Sequence, residues 1–378
     1  MERMKIGVIG CGMISGIYLQ NLTTTFSKAV EVVACADRNV QKAEQTGEKY
    51  GIQGVDIDTL LADPEIELVV NLTIPSVHAE IGKRALLAGK HHYSEKPLAT
   101  NWQDAVGLTK LAKEKGLYAV CAPDTFLGGG LQTCRKLLED GTIGRPVYAQ
   151  GLMLSAGPET FHPNPRFLYE RGAGPLMDMG PYYYAALMSL FGPVTDVTGF
   201  GVRNGQTRQA QNPESPYYGQ DFPCDVNTLV SGSLKFQSGV LANVVTAWDM
   251  SNPYWLSGLP LLQVFGTEGA MILPDPNTFG GVGGTPMDTP QNYVLVRKGS
   301  GNYEKVEIPY GFTENSRGLG VADFAWCLRH GIEPKINMER SLHIMEILSG
   351  VLEAGQCGSG YRMTTTCTIP EPMREPEF

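Results

Sequence analysis

The chain has 378 residues, enough for about two domains, with 42% hydrophobic and 18% charged residues and a formal charge of −9. Lys and Arg are scattered, and no apolar run approaches the roughly 18 residues of a spanning helix. Neither a nucleic-acid partner nor a membrane is therefore expected. The first strand begins almost at once, which leaves no room for a signal peptide. Eight cysteines, without a CxxC pair or metal-ligand spacing, read as reduced thiols of a cytoplasmic protein with no metal site.

Lys5-Ile-Gly-Val-Ile-Gly-Cys-Gly-Met-Ile-Ser-Gly16 reads as a short buried strand that breaks into glycines and opens a helix. Gly10 permits the sharp turn. Gly12 lets the backbone approach a pyrophosphate, which then sits on the free N–H groups of the helix start beside Met13 and Ile14. A strict fingerprint has a third Gly where this chain has Ser15, which is small enough for the same helix–strand packing. A second strand, Val30–Ala36, leads to Asp37, 25 residues after Gly12. An acidic residue at that offset accepts the adenosine ribose hydroxyls. Its charge repels a 2′-phosphate and favours NAD, while Arg38 can stack on adenine or accept that phosphate, which keeps NADP possible.

A helix is predicted over 39–50 and a third strand over 68–73, ending in Ile74-Pro-Ser-Val-His78. Ser76 is expected to cap a helix running to Gly89. Strand His91–Ser94 closes on Glu95-Lys96-Pro97, and helix Trp102–Lys115 and a strand over 117–121 lead to Pro123-Asp124. Strands alternating with helices of this length predict a parallel, doubly wound sheet, which binds ligands at the carboxyl ends of its strands. Thr73, Pro75, His78, Glu95 and Lys96 fall there and join the glycine loop and Asp37 as cofactor contacts. Asp124 is a candidate substrate contact.

Past residue 125 the pattern changes. A helix over 133–139, a strand over 147–154, a proline-rich loop over 158–165 and a helix over 176–191 give way to period-two strands. These pair as 229–236 with 240–248, 262–265 with 271–273, and 293–297 with 305–308, and 279–285 reads as a glycine-rich loop. Amphipathic helices over 321–330 and 339–355 end the fold. The expected architecture is α/β followed by α+β. A Rossmann domain over 1–125 precedes a substrate-binding and oligomerisation domain over 126–378, built on a large, mainly antiparallel, open-faced sheet. The C-terminal helices are candidates to pack back on the first domain. A helix-free sheet face is most simply covered by a second copy, giving a homo-oligomer.

Lys96 ends a parallel strand beside the cofactor crevice, and Pro97, whose peptide bond is a candidate for cis, fixes the backbone after it. An ordinary Lys has a pKa near 10.4, whereas an acid/base at neutral pH needs about 7–8. Burial and a neighbouring nicotinamide cation both push it down. The alternative is a surface Lys capping a strand. In Gly172-Ala-Gly-Pro-Leu-Met-Asp178-Met-Gly-Pro-Tyr182, residues 178 and 182 share one helix face. Asp178 can orient a hydroxyl, and Tyr182 can hydrogen-bond the reacting oxygen; the plainer reading has a cap and a packing aromatic. Pro181 predicts a kink, or a helix that starts near it with Asp178 just before. His162 is a candidate substrate contact or a plain loop residue. His91, His92, His330 and His343 read as structural, and Trp248 and Trp255 as packing residues rather than sugar-stacking ones.

Together these stretches resemble the Gfo/Idh/MocA family of glucose–fructose oxidoreductase and inositol dehydrogenase relatives, over nearly the whole chain. The marks are the glycine loop, Ile74-Pro-Ser-Val-His78, Glu95-Lys-Pro97, Glu139-Asp-Gly-Thr-Ile-Gly144 and Gly172–Tyr182. The resemblance implies that Lys96 is the catalytic Lys and Asp178 the substrate-orienting Asp. At position 182 the family more often has His; Tyr182 matches the branch resembling glucose–fructose oxidoreductase and dimeric dihydrodiol dehydrogenase, where it acts as acid. Ala185 stands where relatives carry Asp, which argues against an inositol dehydrogenase-like site, and Pro123-Asp-Thr-Phe126 replaces the family's Asn-x-Arg-Phe. The implied activity is hydride transfer between NAD(P) and a ring hydroxyl of a sugar, glycoside or polyol. Two rivals are an NAD-dependent glycosidase that works by transient oxidation and elimination, and a non-catalytic cofactor-binding regulator.

Overall fold

The computed structural model describes residues 2–250, 262–273, 275–280, 293–373 and 378. Trp255 and most of the predicted glycine-rich loop lie outside them. The chain divides into two compact units, one of residues 1–124, 315–345 and 376–378, the other of 125–314 and 346–375. Among the described residues no helix is long and apolar enough to cross a membrane.

The first unit alternates strand and helix: β1 (Met4–Ile9), α1 (Ser15–Thr23), β2 (Val30–Ala36), α2 (Val40–Tyr50), β3 (Gln53–Val55), α3 (Ile57–Ala62), β4 (Leu68–Asn71), α4 (His78–Leu87), β5 (His91–Ser94), α5 (Trp102–Lys115) and β6 (Ala119–Cys121). The strands form a parallel sheet in the order β3-β2-β1-β4-β5-β6. The order reverses direction at β1 and β4, where such sheets open a ligand crevice. Apolar faces of strands and helices close a core that includes Ile9, Ala34, Leu60, Val69 and Ile81. Local chemistry sets the helix ends. Asn39, Asp56 and Asn101 accept N–H bonds from Lys42, Thr59 and Asp104, and α2 and α5 stop at left-handed Gly51 and Gly116. Ser76 caps nothing. Pro75–Val77 form a 3₁₀ turn and α4 starts one residue later, at His78, without a side-chain cap.

The second unit carries α6 (Gly129–Glu139), β7 (Pro146–Leu154), α7 (Pro175–Phe191), β8 (Val194–Val202), β9 (Thr207–Gln209), β10 (Asp221–Pro223), β11 (Leu229–Phe236), β12 (Leu241–Ala247), β13 (Leu262–Gly266), β14 (Gly269–Leu273), β15 (Tyr293–Lys298) and β16 (Glu304–Glu307). Two helices follow along the chain, α8 (Leu319–His330) and α9 (Met338–Cys357), then the short β17 (Tyr361–Arg362). Residues of α9 from Glu346 onward belong to this unit. Among the described residues the main sheet runs β16-β15-β14-β13-β7-β12-β11-β8-β17, antiparallel except where β7 and β12 run parallel. Inside the unit, α7 packs on β11 and β12, and α6 on β14 and β15. Residues facing the other way include Phe200, Val202 and Leu241, which stay exposed. β8 has no counterpart among the predicted elements. Its alternation is broken by Gly199 and Gly201, whose missing side chains leave room for Val351 and Asn227.

Candidate active site

In the first unit the glycine loop is built as its sequence demands. Gly10 has φ 105°, donates its N–H to the Ala36 carbonyl at 2.8 Å, and a Cβ there would lie 2.6 Å from the Leu72 carbonyl carbon. Only glycine fits. A Cβ on Gly12, by contrast, would meet nothing within 4 Å, so its backbone borders open space. Ile14 starts α1 with no side-chain cap and no acidic residue in the first turn, which leaves the positive end of the helix for an outside anion. Ser15 is buried and donates its hydroxyl to the Gly12 carbonyl at 2.7 Å. Met13 and Arg38 are exposed. Asp37 accepts the Cys11 N–H at 2.9 Å and the Asn39 N–H at 3.0 Å, so its carboxylate is fixed at the end of β2. An open cradle, an uncapped helix and an oriented carboxylate together fit a dinucleotide.

The turn after β5 is tied to that loop from below. Glu95 is buried and accepts the Tyr18 hydroxyl of α1 at 2.8 Å on one oxygen and the Lys96 N–H at 3.0 Å on the other. The Lys96–Pro97 bond is cis, and Lys96 itself is half-buried. The neighbouring segment after β4 is organised by Asn71, which is fully buried. Its side-chain oxygen accepts both the N–H and the hydroxyl of Thr73, and its amide donates to the His78 carbonyl at 3.2 Å. Pro75 follows on a half-exposed turn.

Two of the residues read as contacts are enclosed in this structure. His78, read as packing beside the cofactor, is enclosed at 0% exposure, its ring nitrogens facing the Pro97 carbonyl at 2.7 Å and the Thr73 carbonyl at 3.0 Å. It braces the loops from inside. Asp124, read as a substrate contact, is 1% exposed and accepts the N–H groups of Gly318 and Gly320 at 2.9 and 3.1 Å. Its carboxylate caps the start of α8. The burial of Asp124 is not visible locally, because its partners lie 194 and 196 residues along the chain.

In the second unit α7 begins at Pro175 after Gly174 and runs without a break through Pro181. Asp178 therefore lies in the first turn and not ahead of the helix, and its N–H bonds the Gly174 carbonyl at 2.9 Å. Asp178 is half-buried and Tyr182, one turn on, is buried. The two share a face by helical spacing. His162 lies within reach of the Asp178 charge. Burial lowers its imidazole pKa, against the pull of the Asp178 charge, and its Nδ1 accepts the Asn164 N–H at 2.9 Å.

A buried network supports this stretch and has no local signal in the sequence. Arg208 of β9 reaches Glu159 at 3.4 Å and pairs with Asp249, which also accepts from Thr228 and Asn204 at 2.7 Å each. Glu159 in turn receives the Tyr169 hydroxyl, and Trp248 stacks edge-on against Tyr169 with ring centres 5.1 Å apart. Asn71 and Tyr18 were equally missed. A lone Asn closing an all-apolar strand is the one clue that a buried polar hub sits there. Among the described residues no cluster of His, Cys, Asp or Glu could hold a metal.

Residues 4–122 match the oxidoreductase family with NAD-binding Rossmann fold, and residues 131–272 match the GFO/IDH/MocA C-terminal domain. The chain is 30% identical over 240 residues to dTDP-3,4-didehydro-2,6-dideoxy-alpha-D-glucose 3-reductase of Streptomyces violaceoruber, covering 62% of this chain and 67% of that one. It is 26% identical over 276 residues to the NAD(+)-dependent scyllo-inositol 2-dehydrogenase of Bacillus subtilis, covering 72% and 74%. D-xylose dehydrogenase of Paenarthrobacter nicotinovorans is 24% identical, with 62% of this chain matching 61% of that one. The chain spans little more than half the length of several curated relatives it matches. Levoglucosan dehydrogenase in complex with NADH superposes with a TM-score of 0.79 at 18% identity, covering 96% of this chain and all of the other, which shows a shared fold. Glycine loop, oriented Asp37, Glu95-Lys96-Pro97 turn and matched domains agree: the chain belongs to the GFO/IDH/MocA family of oxidoreductases with an NAD-binding Rossmann fold.

Proposed function

We propose that the protein is an NAD-dependent dehydrogenase that oxidises a ring hydroxyl of a sugar, glycoside or related polyol. The observation that carries this is the Tyr18–Glu95 hydrogen bond of 2.8 Å, which ties the helix of the glycine loop to the residue preceding Lys96. It supports an amine held in register with the cofactor cradle. The relatives named above act, by their names, on xylose, inositol and a deoxy-glucose nucleotide, which supports a carbohydrate substrate here.

Bound NAD supplies the hydride acceptor. Gly10, Gly12 and the start of α1 hold its pyrophosphate, and Asp37 holds its ribose and favours NAD over NADP. Lys96 takes the proton of the reacting hydroxyl, Tyr182 hydrogen-bonds the same oxygen, and Asp178, with His162, orients the ring. The exposed sheet face of Phe200, Val202 and Leu241 suits a second copy of the chain, making the working unit a homo-oligomer. The compartment proposed is the cytoplasm, since seven of the free cysteines are buried and only Cys357 is exposed.

The test is a panel of monosaccharides, glycosides and inositols with NAD and NADP separately, followed by the absorbance of reduced nicotinamide. Lys96→Ala is expected to lower kcat by about 10²- to 10⁴-fold on the best substrate. A flat response across the panel, or an unchanged Lys96→Ala variant, overturns the proposal. Glycoside cleavage without net reduced nicotinamide would favour the oxidation–elimination reading instead.

A further inference from the structure

His78 lies at 0% exposure with a carbonyl acceptor at each end of its ring: Pro97 at 2.7 Å from Nδ1 and Thr73 at 3.0 Å from Nε2. One imidazole thus spans the two segments that follow β4 and β5. The Pro97 carbonyl belongs to the residue directly after Lys96, so whatever fixes it also fixes the backbone that carries the amine. On the other side of the same peptide, Glu95 accepts the Lys96 N–H at 3.0 Å. The Lys96 backbone is therefore held before and after its side chain. Burial lowers the pKa of His78, so the ring is neutral at pH 7 and has one proton for two carbonyls. With that proton on Nδ1, the N–H lies along the shorter contact, to Pro97.

His78 has its own support. Asn71 donates to the His78 carbonyl and accepts from Thr73, so backbone and ring of His78 are both referenced to the end of β4. A residue needed only for filling space would not require an N–H aimed at one particular carbonyl. We infer that His78 is a positioning residue for Lys96, its Nδ1–H holding the Pro97 carbonyl so that the amine keeps the direction proton transfer needs.

The inference rests on the dehydrogenase reading of Lys96 and goes beyond it by assigning the device that aims that residue. Two conservative variants separate the ring's two ends. The side-chain amide nitrogen of Asn overlays Nδ1, so His78→Asn keeps a donor toward Pro97. The amide nitrogen of Gln overlays Nε2, so His78→Gln keeps a donor toward Thr73 only. Each loses one contact, and Asn leaves the larger void, so a purely space-filling role would penalise His78→Asn more than His78→Gln.

The experiment measures kcat, KM for the best sugar of the panel, the NADH dissociation constant by fluorescence, and the thermal midpoint for the wild type and both variants. His78→Asn is expected to retain most of kcat. His78→Gln is expected to lose about tenfold or more in kcat, as small misplacements of a catalytic group do, with sugar KM and NADH affinity changed less than threefold. Equal kcat in the two variants, or rescue by Gln and not Asn, overturns the inference. So does a kcat loss that tracks the fall in thermal midpoint. Because the wild type and Lys96→Ala are measured beside them, failure of the dehydrogenase reading shows as absent wild-type turnover, whereas failure of this inference leaves wild-type turnover intact.

Discussion

Asp37 is fastened to Cys11 at the heart of the glycine loop, its Oδ2 accepting the Cys11 N–H at 2.9 Å while Oδ1 takes the Asn39 N–H at 3.0 Å. A carboxylate held on both oxygens cannot swing aside to admit a 2′-phosphate, and like charges that close repel strongly. Asp37→Ser is expected to lower kcat/KM for NAD and raise it for NADP, moving the preference by about tenfold or more, roughly 1.4 kcal/mol. Parallel titrations with the two cofactors check this. An unchanged ratio would mean that Asp37 only shapes the loop.

The two glycines of the loop are expected to fail in different ways. A Cβ on Gly10 would sit 2.6 Å from the Leu72 carbonyl carbon at φ 105°, so Gly10→Ala must shift backbone against backbone. A loss of several kcal/mol in folding stability is expected, or no folded protein at all. Gly12 has no protein atom within 4 Å of that position. Gly12→Ala should therefore keep the wild-type thermal midpoint while weakening NADH binding by about tenfold, because only a ligand would meet the new methyl group. Thermal melts and NADH titration of both variants separate the outcomes.

These contrasts show where the sequence was legible. β2, β5 and α5 fall on the predicted bounds, because their signals are local: the apolar run of β2, the Glu95-Lys96-Pro97 turn that closes β5, and for α5 an Asn101 cap and a left-handed Gly116. The cradle, Asp37 and the Lys96 turn were legible for the same reason, being motifs at strand ends. β3 and α3 have 3 and 6 residues, too few for a period to register. Ser76 had the right chemistry for a cap, but Pro75 opens a 3₁₀ turn that carries Ser76 out of position. Helix α7 starts at Pro175 and runs through Pro181, where local rules predict a kink or a later start. The enclosed state of Asp124 depends on partners up to 196 residues away and leaves no trace nearby.

Glu346 is a buried carboxylate of α9 that gathers five donors: the N–H and hydroxyl groups of Thr364 and Thr365, and the Tyr361 hydroxyl at 3.0 Å. Burial opposes its charge, yet the hydrogen bonds from the two threonines outweigh burial and hold the carboxyl below its ordinary value of 4.5. The folded pKa is depressed, so the stabilisation is present above about pH 4.5 and is lost as the pH falls through the folded value. Glu346→Gln turns one acceptor into a donor facing other donors and is expected to cost about 2 kcal/mol at pH 7. Thermal midpoints of wild type and variant should converge between pH 5 and pH 3. A gap that stays constant over that range would contradict the assignment.

Asp124 titrates in the opposite sense. Burial pushes its carboxyl up to about 6, with Glu95 adding to the rise, while the Gly320 and Gly318 N–H groups and the Arg317 charge pull against it. Between its ordinary value of 3.8 and about 6 the folded protein binds a proton that the unfolded chain has released. Stability from this group therefore falls as the pH rises through that window and is level above it. The ionised carboxylate opposes folding at pH 7 by up to about 3 kcal/mol. In Asp124→Asn the side-chain oxygen still accepts from Gly318 and Gly320, and no charge is buried. The variant is expected to be at least as stable as the wild type at pH 7, and less stable relative to it at pH 4 than at pH 7. Denaturant melts at several pH values across that range give the difference directly. Parallel curves would show that Asp124 keeps its ordinary pKa, and a variant markedly weaker at pH 7 would show that the charge itself anchors the start of α8.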